Sequence, residues 1–261
     1  MSEILQYSVG EGVAHIQLNR PDKRNALNGA LVRSLKEALR TSAADPDVRA
    51  VLLSGAGKDF CSGADLAELE RIAGMGMEES RADALSLAEL FTLVREHPRP
   101  VVAAVQGRAL AGGCGLATAC DLVLARADAR FGYPEVHLGF VPAMVMSILR
   151  RKVTESVAFE LAVLGERITA ARAAEIGLVN RVLPEEGFEG AVEAFMADLA
   201  SRPPGAVGMT KRLLYDLDGL GLAEGLAVGA EVNARARTSQ ECRTGVRRFL
   251  DRSGSGTETG S

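Results

Sequence analysis

The chain has 261 residues, 47% of them hydrophobic, and a formal net charge of −4. That length holds one large domain or a domain with an extension, and the apolar fraction suffices for a sizeable core. The negative charge argues against nucleic acid as the main partner, and no apolar run approaches the length of a membrane span.

Leu5–Val9 and Val13–Leu18 read as a short antiparallel pair turned at Gly10–Gly12. The run from Arg20 to Asn25 is basic and, on its own, reads as a solvated loop. Asn28 suits an N-cap, with Leu31, Leu35, Ala38 and Leu39 forming the apolar stripe of a helix that ends before Pro46. Val48–Ser54 is a buried strand. Gly55–Gly57 turns the chain into Phe60–Leu66, where Asp65 reads as a cap at a helix start. Ala73–Met77 is a Met/Gly connection expected to be mobile, and Glu78–Arg95 is a long helix with Leu85, Ala88 and Phe91 among its apolar positions.

Val101–Val105, bounded by Pro100 and Gly107, reads as a buried strand. A strand-to-helix junction follows at Gly107–Gly115, then a helix over Gly113–Cys120 and a strand over Asp121–Ala125. The three glycines Gly112, Gly113 and Gly115 serve either tight packing or the close approach of backbone N–H groups to a ligand, and a helix N-terminus there favours negative charge. Glu135 lies in an otherwise apolar run one strand later, and is either a cap after Pro134 or a proton-transfer group. No P-loop is present, because Gly113-Cys114 stands where Lys and Ser/Thr are needed. No dinucleotide fingerprint is present either, because Thr118 replaces the third glycine.

Helical patterns dominate from Glu186, over about 186–200, 205–217, 222–238 and 240–251, with a break at Pro203-Pro204. Residues 253–261 are Gly/Ser/Thr-rich and expected to be disordered. Cys61, Cys114, Cys120 and Cys242 form no CxxC pair and, with three scattered histidines, offer no metal-ligand spacing. No secretory signal pattern opens the chain, and reduced thiols fit a cytoplasmic location.

Several segments then carry a resemblance. Residues 111–125 (AGGCGLATACDLVLA) and 131–142 (FGYPEVHLGFVP) resemble the core of the crotonase superfamily, the enoyl-CoA hydratase/isomerase group. LNRPDKRNALN at 18–28, FCSGADL at 60–66 and the segment Ala170–Asn180 resemble further family motifs in the right order, across roughly residues 5–250. The resemblance implies an α/β fold, a crotonase-like spiral of ββα units over residues 1–200, followed by a helical trimerisation region over 201–252. It also implies an acyl-CoA thioester as substrate, coenzyme A being part of the substrate with no separate cofactor, and a homotrimer or dimer of trimers. The backbone N–H groups of Ala64 and Gly112 would form an oxyanion hole, with Glu135 as acid/base. The resemblance also implies that Lys23, Arg24, Ala26, Ala64, Asp65, Leu66, Gly112, Gly115, Pro134 and Met144 contact the substrate and its coenzyme A, with Lys23 and Arg24 near the nucleotide end.

The chain departs from the hydratase pattern in one respect that bears on chemistry. Hydratases of the family carry two glutamates; here the second is Glu135, while Gly115 stands at the first. Ala143 stands where dienoyl-CoA isomerases have an Asp. Asp83, Glu79 and His137 are the candidates for a substitute acid, and Met144 and Met146 are core filler or an acyl wall. One carboxylate suits migration of a double bond between the 3 and 2 positions of an acyl-CoA. The alternatives are hydration of a short or branched enoyl-CoA, and a thioester-binding subunit with little catalysis.

Overall fold

The structure, a computed structural model, describes residues 3–254, apart from the side chains of Leu66 and of residues 252–254. Contacts divide the chain into two compact units, one ending at Ala200 and the other starting at Ser201.

The first unit opens with the antiparallel pair β1 (Leu5–Gly10) and β2 (Val13–Leu18), then α1 (Gly29–Ala44), β3 (Ala50–Gly55), α2 (Leu66–Ala73) and α3 (Met77–Glu96). It continues through β4 (Val101–Val105), β5 (Arg108–Leu110), α4 (Gly112–Ala119), β6 (Leu122–Arg126) and β7 (Arg130–Gly132). α5 (Ala143–Lys152), α6 (Glu155–Leu164), β8 (Ile168–Thr169), α7 (Ala170–Glu175), β9 (Arg181–Leu183) and α8 (Phe188–Ser201) complete it. One sheet runs in the order β1-β2-β3-β4-β6-β9, and a second in the order β5-β7-β8.

The larger sheet is parallel from β2 onward. β3 and β4 are buried at every position because both faces are covered. Val51, Leu53, Val101, Ala103, Val105 and Val123 face the main core, which includes Leu31 and Leu35 of α1. Alternate residues Ala50, Leu52, Val102, Ala104 and Leu124 pack on Phe188, Val192 and Met196 of α8. Asn28 caps α1, its Oδ1 accepting from Leu31 N–H at 2.9 Å.

The junction expected at Gly107–Gly115 contains a strand that periodicity does not show. β5 is only three residues long and is defined by its parallel partner β7. The helix after it begins one residue earlier than expected, at Gly112.

The second unit comprises α9 (Pro204–Asp216), α10 (Leu222–Thr238) and α11 (Gln240–Gly254). Within it, the Glu241 carboxylate accepts from the N–H groups of Gly205 and Ala206 at 3.0 and 3.1 Å, satisfying the free donors at the start of α9. No described residue of α10 is buried, and Leu214, Leu222, Leu226, Phe249 and Leu250 are exposed. The last helix runs through Gly254, two residues into the segment expected to be disordered; residues 255–261 of that segment lie outside the described residues. Among the described residues no helix is long and apolar enough to cross a membrane.

Candidate active site

Three parallel, hydrogen-bonded segments bring the predicted site residues together. Cys61 bridges to Ala109, and β5 pairs in register with β7, Arg108 with Arg130 and Leu110 with Gly132. Parallel segments release their chains at the same edge. The turns that follow carry Ala64, Gly112 and Glu135, so residues far apart in sequence meet at one end of this small sheet.

Two amide groups at that edge are oriented by their own peptide carbonyls. The Gly63 carbonyl accepts from Leu27 N–H at 2.6 Å. In a trans peptide the N–H points opposite to the C=O, so the Ala64 N–H is directed away from Leu27. The Ala111 carbonyl accepts from Gly115 N–H at 2.9 Å in the first turn of α4, which aims the Gly112 N–H out of the helix start. Among the described residues neither N–H donates within the protein. The residues before the two donors both have positive φ: Gly63 at +95° and Ala111 at +49° with ψ −128°.

Glu135 sits in a 3-10 turn, Pro134–Leu138, and not in a strand. Tyr133 holds the N-cap position without a side-chain bond, and the Glu135 carboxylate accepts from its own backbone N–H in the first turn, so one carboxylate oxygen does serve as a local cap. Its Oε2 is buried without a hydrogen-bond partner. Burial pushes the carboxyl above its usual range, a hydrogen bond from its own backbone pulls the other way, and no neighbouring charge contributes. Beneath it Tyr133 is fully buried. Thr118 Oγ1 donates to the Cys114 carbonyl at 2.8 Å and lies 2.6 Å from Tyr133 Oη, so the tyrosine donates to the threonine. Burial raises the Cys114 thiol to about 11, and the Glu135 charge adds to the effect, so this thiol stays protonated.

The position of the absent carboxylate is closed. A Cβ at Gly115 would lie 2.9 Å from Phe91 Cζ, 3.4 Å from Phe91 Cε2 and 3.5 Å from Val145 Cβ. Phe91 and Val145, from α3 and α5, are each only 4% exposed. The three candidates for a substitute acid make no hydrogen bond to Glu135 Oε2, which is without a partner. Asp83 is paired with Arg71 at 2.5 Å, and Arg71 also holds Glu68. These groups line a polar cavity of about 430 Å³ with Asn28, Arg33 and Ser86. Glu79 is exposed on the first turn of α3. The His137 ring lies against Gly165, its Nε2 2.8 Å from where a Cβ on that glycine would be.

Lys23 and Arg24 are exposed at the end of a 3-10 turn, Pro21–Lys23. Arg24 and Asn25 adopt left-handed φ of 51° and 54°. The buried Asn25 makes this possible by accepting from Arg20 N–H at 2.8 Å and donating to the carbonyls of Ala56 and Asp59 at 2.9 and 2.7 Å. Arg20 donates to the Ala26 carbonyl and, at 2.7 Å, to Asp65 Oδ2. Asp65 caps α2, accepting from Glu68 N–H at 2.9 Å. Ala26 is buried, Leu66 opens α2, and Met144 is half-buried in the first turn of α5. Among the described residues no group of three His, Cys, Asp or Glu could hold a metal, and none of the four cysteines is in a disulfide.

Sequence reasoning missed Ala111 and Phe91. An alanine gives no signal of a positive φ, and an apolar residue on a helical stripe gives no signal of what its ring tip meets.

The profile of the family described as Enoyl-CoA hydratase/isomerase matches residues 8–255. A Thermus thermophilus protein provisionally named an enoyl-CoA hydratase is 44% identical over 240 residues, covering 92% of this chain and 95% of that one. The mitochondrial Delta(3,5)-Delta(2,4)-dienoyl-CoA isomerase of Mus musculus is 37% identical over 228 residues, covering 81% and 68%. The crystal structure of an enoyl-CoA hydratase from Mycobacterium smegmatis superposes with a TM-score of 0.91 at 33% identity, covering 96% and 97%.

Proposed function

The chain belongs to the enoyl-CoA hydratase/isomerase family, and we propose that within it this protein is a double-bond isomerase that uses Glu135 as its one acid/base group. The carboxylate takes a proton from C2 of a 3-enoyl-CoA and the electron pair moves to the thioester oxygen. The resulting enolate is held by the N–H groups of Ala64 and Gly112, each donor contributing about 3 kcal/mol in such sites. The same carboxyl returns the proton at C4, and the double bond comes to rest between C2 and C3.

The observation that carries this reading is the isolation of Glu135: one buried oxygen without a partner, and no second charge acting on it. A base raised above the usual carboxylate range is suited to a proton that must be both taken and returned. Hydration needs water held beside a second acid. The geometry that would place that acid at Gly115 is filled by Phe91 and Val145.

Lys23 and Arg24 are assigned to the nucleotide end of coenzyme A, where exposed cations form charge-assisted bonds to phosphate. Met144 is assigned to the acyl wall. The exposed leucines of α9 and α10 are assigned to a trimer contact. The substrate carries its own coenzyme A, and no further cofactor is invoked.

The test compares conversion of a 3-enoyl-CoA with hydration of crotonyl-CoA, in wild type and Glu135→Gln. Isomerisation that is lost in the variant supports the proposal. Efficient hydration that survives in Glu135→Gln contradicts it and makes the protein a hydratase with another acid. Binding of both esters without turnover leaves a thioester-binding subunit.

A further inference from the structure

The two donors at the strand edge are linked by a contact between the residues that precede them. A Cβ built on Gly63 would lie 3.0 Å from the Ala111 methyl and 3.2 Å from the Leu110 carbonyl oxygen, so the methyl leaves no room for a side chain between it and the Gly63 backbone. Ala111 is fixed on both sides: its N–H donates to the Gly132 carbonyl at 2.9 Å, and its carbonyl accepts from Gly115 N–H at 2.9 Å. Between these two bonds it holds φ +49° and ψ −128°, a conformation that glycine adopts freely and alanine only at a cost. The methyl is all that alanine adds over glycine at this point, and its neighbour is the residue that presents the other donor.

We propose that Ala111 is a positioning residue, its methyl bearing on Gly63 to fix the separation of the Ala64 and Gly112 N–H groups. The inference rests on the reading that these two amides hold the enolate oxygen. Without the methyl, the 111 backbone gains freedom and the 63–64 turn loses its stop. The donors are then displaced, not removed. Outright loss of one donor costs about 10²–10³ in turnover, so displacement is expected to cost about tenfold.

The experiment uses the full chain with Ala111→Gly and Ala111→Ser, the second keeping the Cβ. The probe is acetoacetyl-CoA, whose enolate absorbs in the near ultraviolet and reports on the donor pair whatever the natural reaction is. Turnover of a 3-enoyl-CoA and thermal midpoints are measured beside it. Ala111→Gly should fold with a midpoint equal to or above wild type, lose about tenfold in bound enolate and in kcat, and keep KM within about a factor of two. Ala111→Ser should retain both signals. A kcat and enolate signal for Ala111→Gly within about a factor of two of wild type overturns the proposal. So does a lowered midpoint with KM rising as kcat falls, which marks a packing role only. A wild-type protein that produces no enolate from bound acetoacetyl-CoA refutes the underlying reading of Ala64 and Gly112 instead.

Discussion

Restoring a carboxylate at position 115 is the most informative perturbation, because the structure says what stands in its way. A Cβ there already falls 2.9 Å from Phe91 Cζ. Gly115→Glu must therefore displace a ring that is 4% exposed. Overpacking of this kind costs about 1–3 kcal/mol. Burying the new carboxyl without a partner costs about another 1–3 kcal/mol. Replacing a glycine inside α4 returns about 0.5 kcal/mol in helix propensity. The single variant should thus lose about 2–5 kcal/mol, enough to lower the thermal midpoint by several degrees. Phe91→Ala alone should lose about 3–5 kcal/mol through its cavity. Combined, the new side chain enters the space the ring leaves, so the double variant should be more stable than the sum of the two losses. It should also gain crotonyl-CoA hydration by about 10²-fold over wild type, the usual contribution of one added acid/base group. Thermal melts give the coupling, and parallel hydration and isomerisation assays give the selectivity. Strict additivity of the two losses, or a folded double variant with no gain in hydration, would refute the argument that Phe91 occupies the second carboxylate's place.

Three further outcomes follow from the geometry. Glu135 has a raised pKa, so the folded state holds its proton more tightly than the unfolded chain does, and stability falls as pH rises from the usual carboxylate value through the raised one. Glu135→Gln should therefore melt higher than wild type near neutrality, with the difference vanishing below the usual carboxylate pKa; a lower melt at neutral pH would contradict it. Replacing both Lys23 and Arg24 by Ala should raise KM for acyl-CoA by about tenfold, weaken its salt dependence and lower kcat as well, as steady-state assays at two ionic strengths will show. If the proposed trimer forms through α10, Leu222→Asp with Leu226→Asp should convert it to monomers by light scattering, because both leucines are exposed there; an unchanged mass would contradict that contact.

The parts of this molecule that are legible in its sequence are those governed by local chemistry. The Asn28 and Asp65 caps, the apolar strands β3 and β4, and the glycine cluster that starts α4 follow from short-range rules, and the structure contains each. β5 is not legible, because three residues carry no period and its existence depends on β7, some twenty residues away. Glu135 is singled out by being charged among apolar neighbours, but its isolation is a property of what surrounds it in space. The closure at Gly115 needs a ring from α3, and the unusual backbone at Ala111 needs the bonds to Gly132 and Gly115. Both are set by tertiary neighbours that no window of sequence contains.

Arg20 gives the site a mechanical linkage. One end of its guanidinium holds the carbonyl of Ala26, next to the loop with Lys23 and Arg24; the other holds Asp65, next to Ala64. The Leu27 bond to Gly63 runs alongside. If the proposed function holds, an anion drawing on the outer loop would load the peptide that presents the Ala64 N–H, so grip at the far end of a long ligand would become alignment at its reacting end. A thioester cut short of its nucleotide would leave that linkage slack. Its penalty would fall on the rate of the chemical step as well as on affinity, in the way that remote binding energy is spent on the transition state.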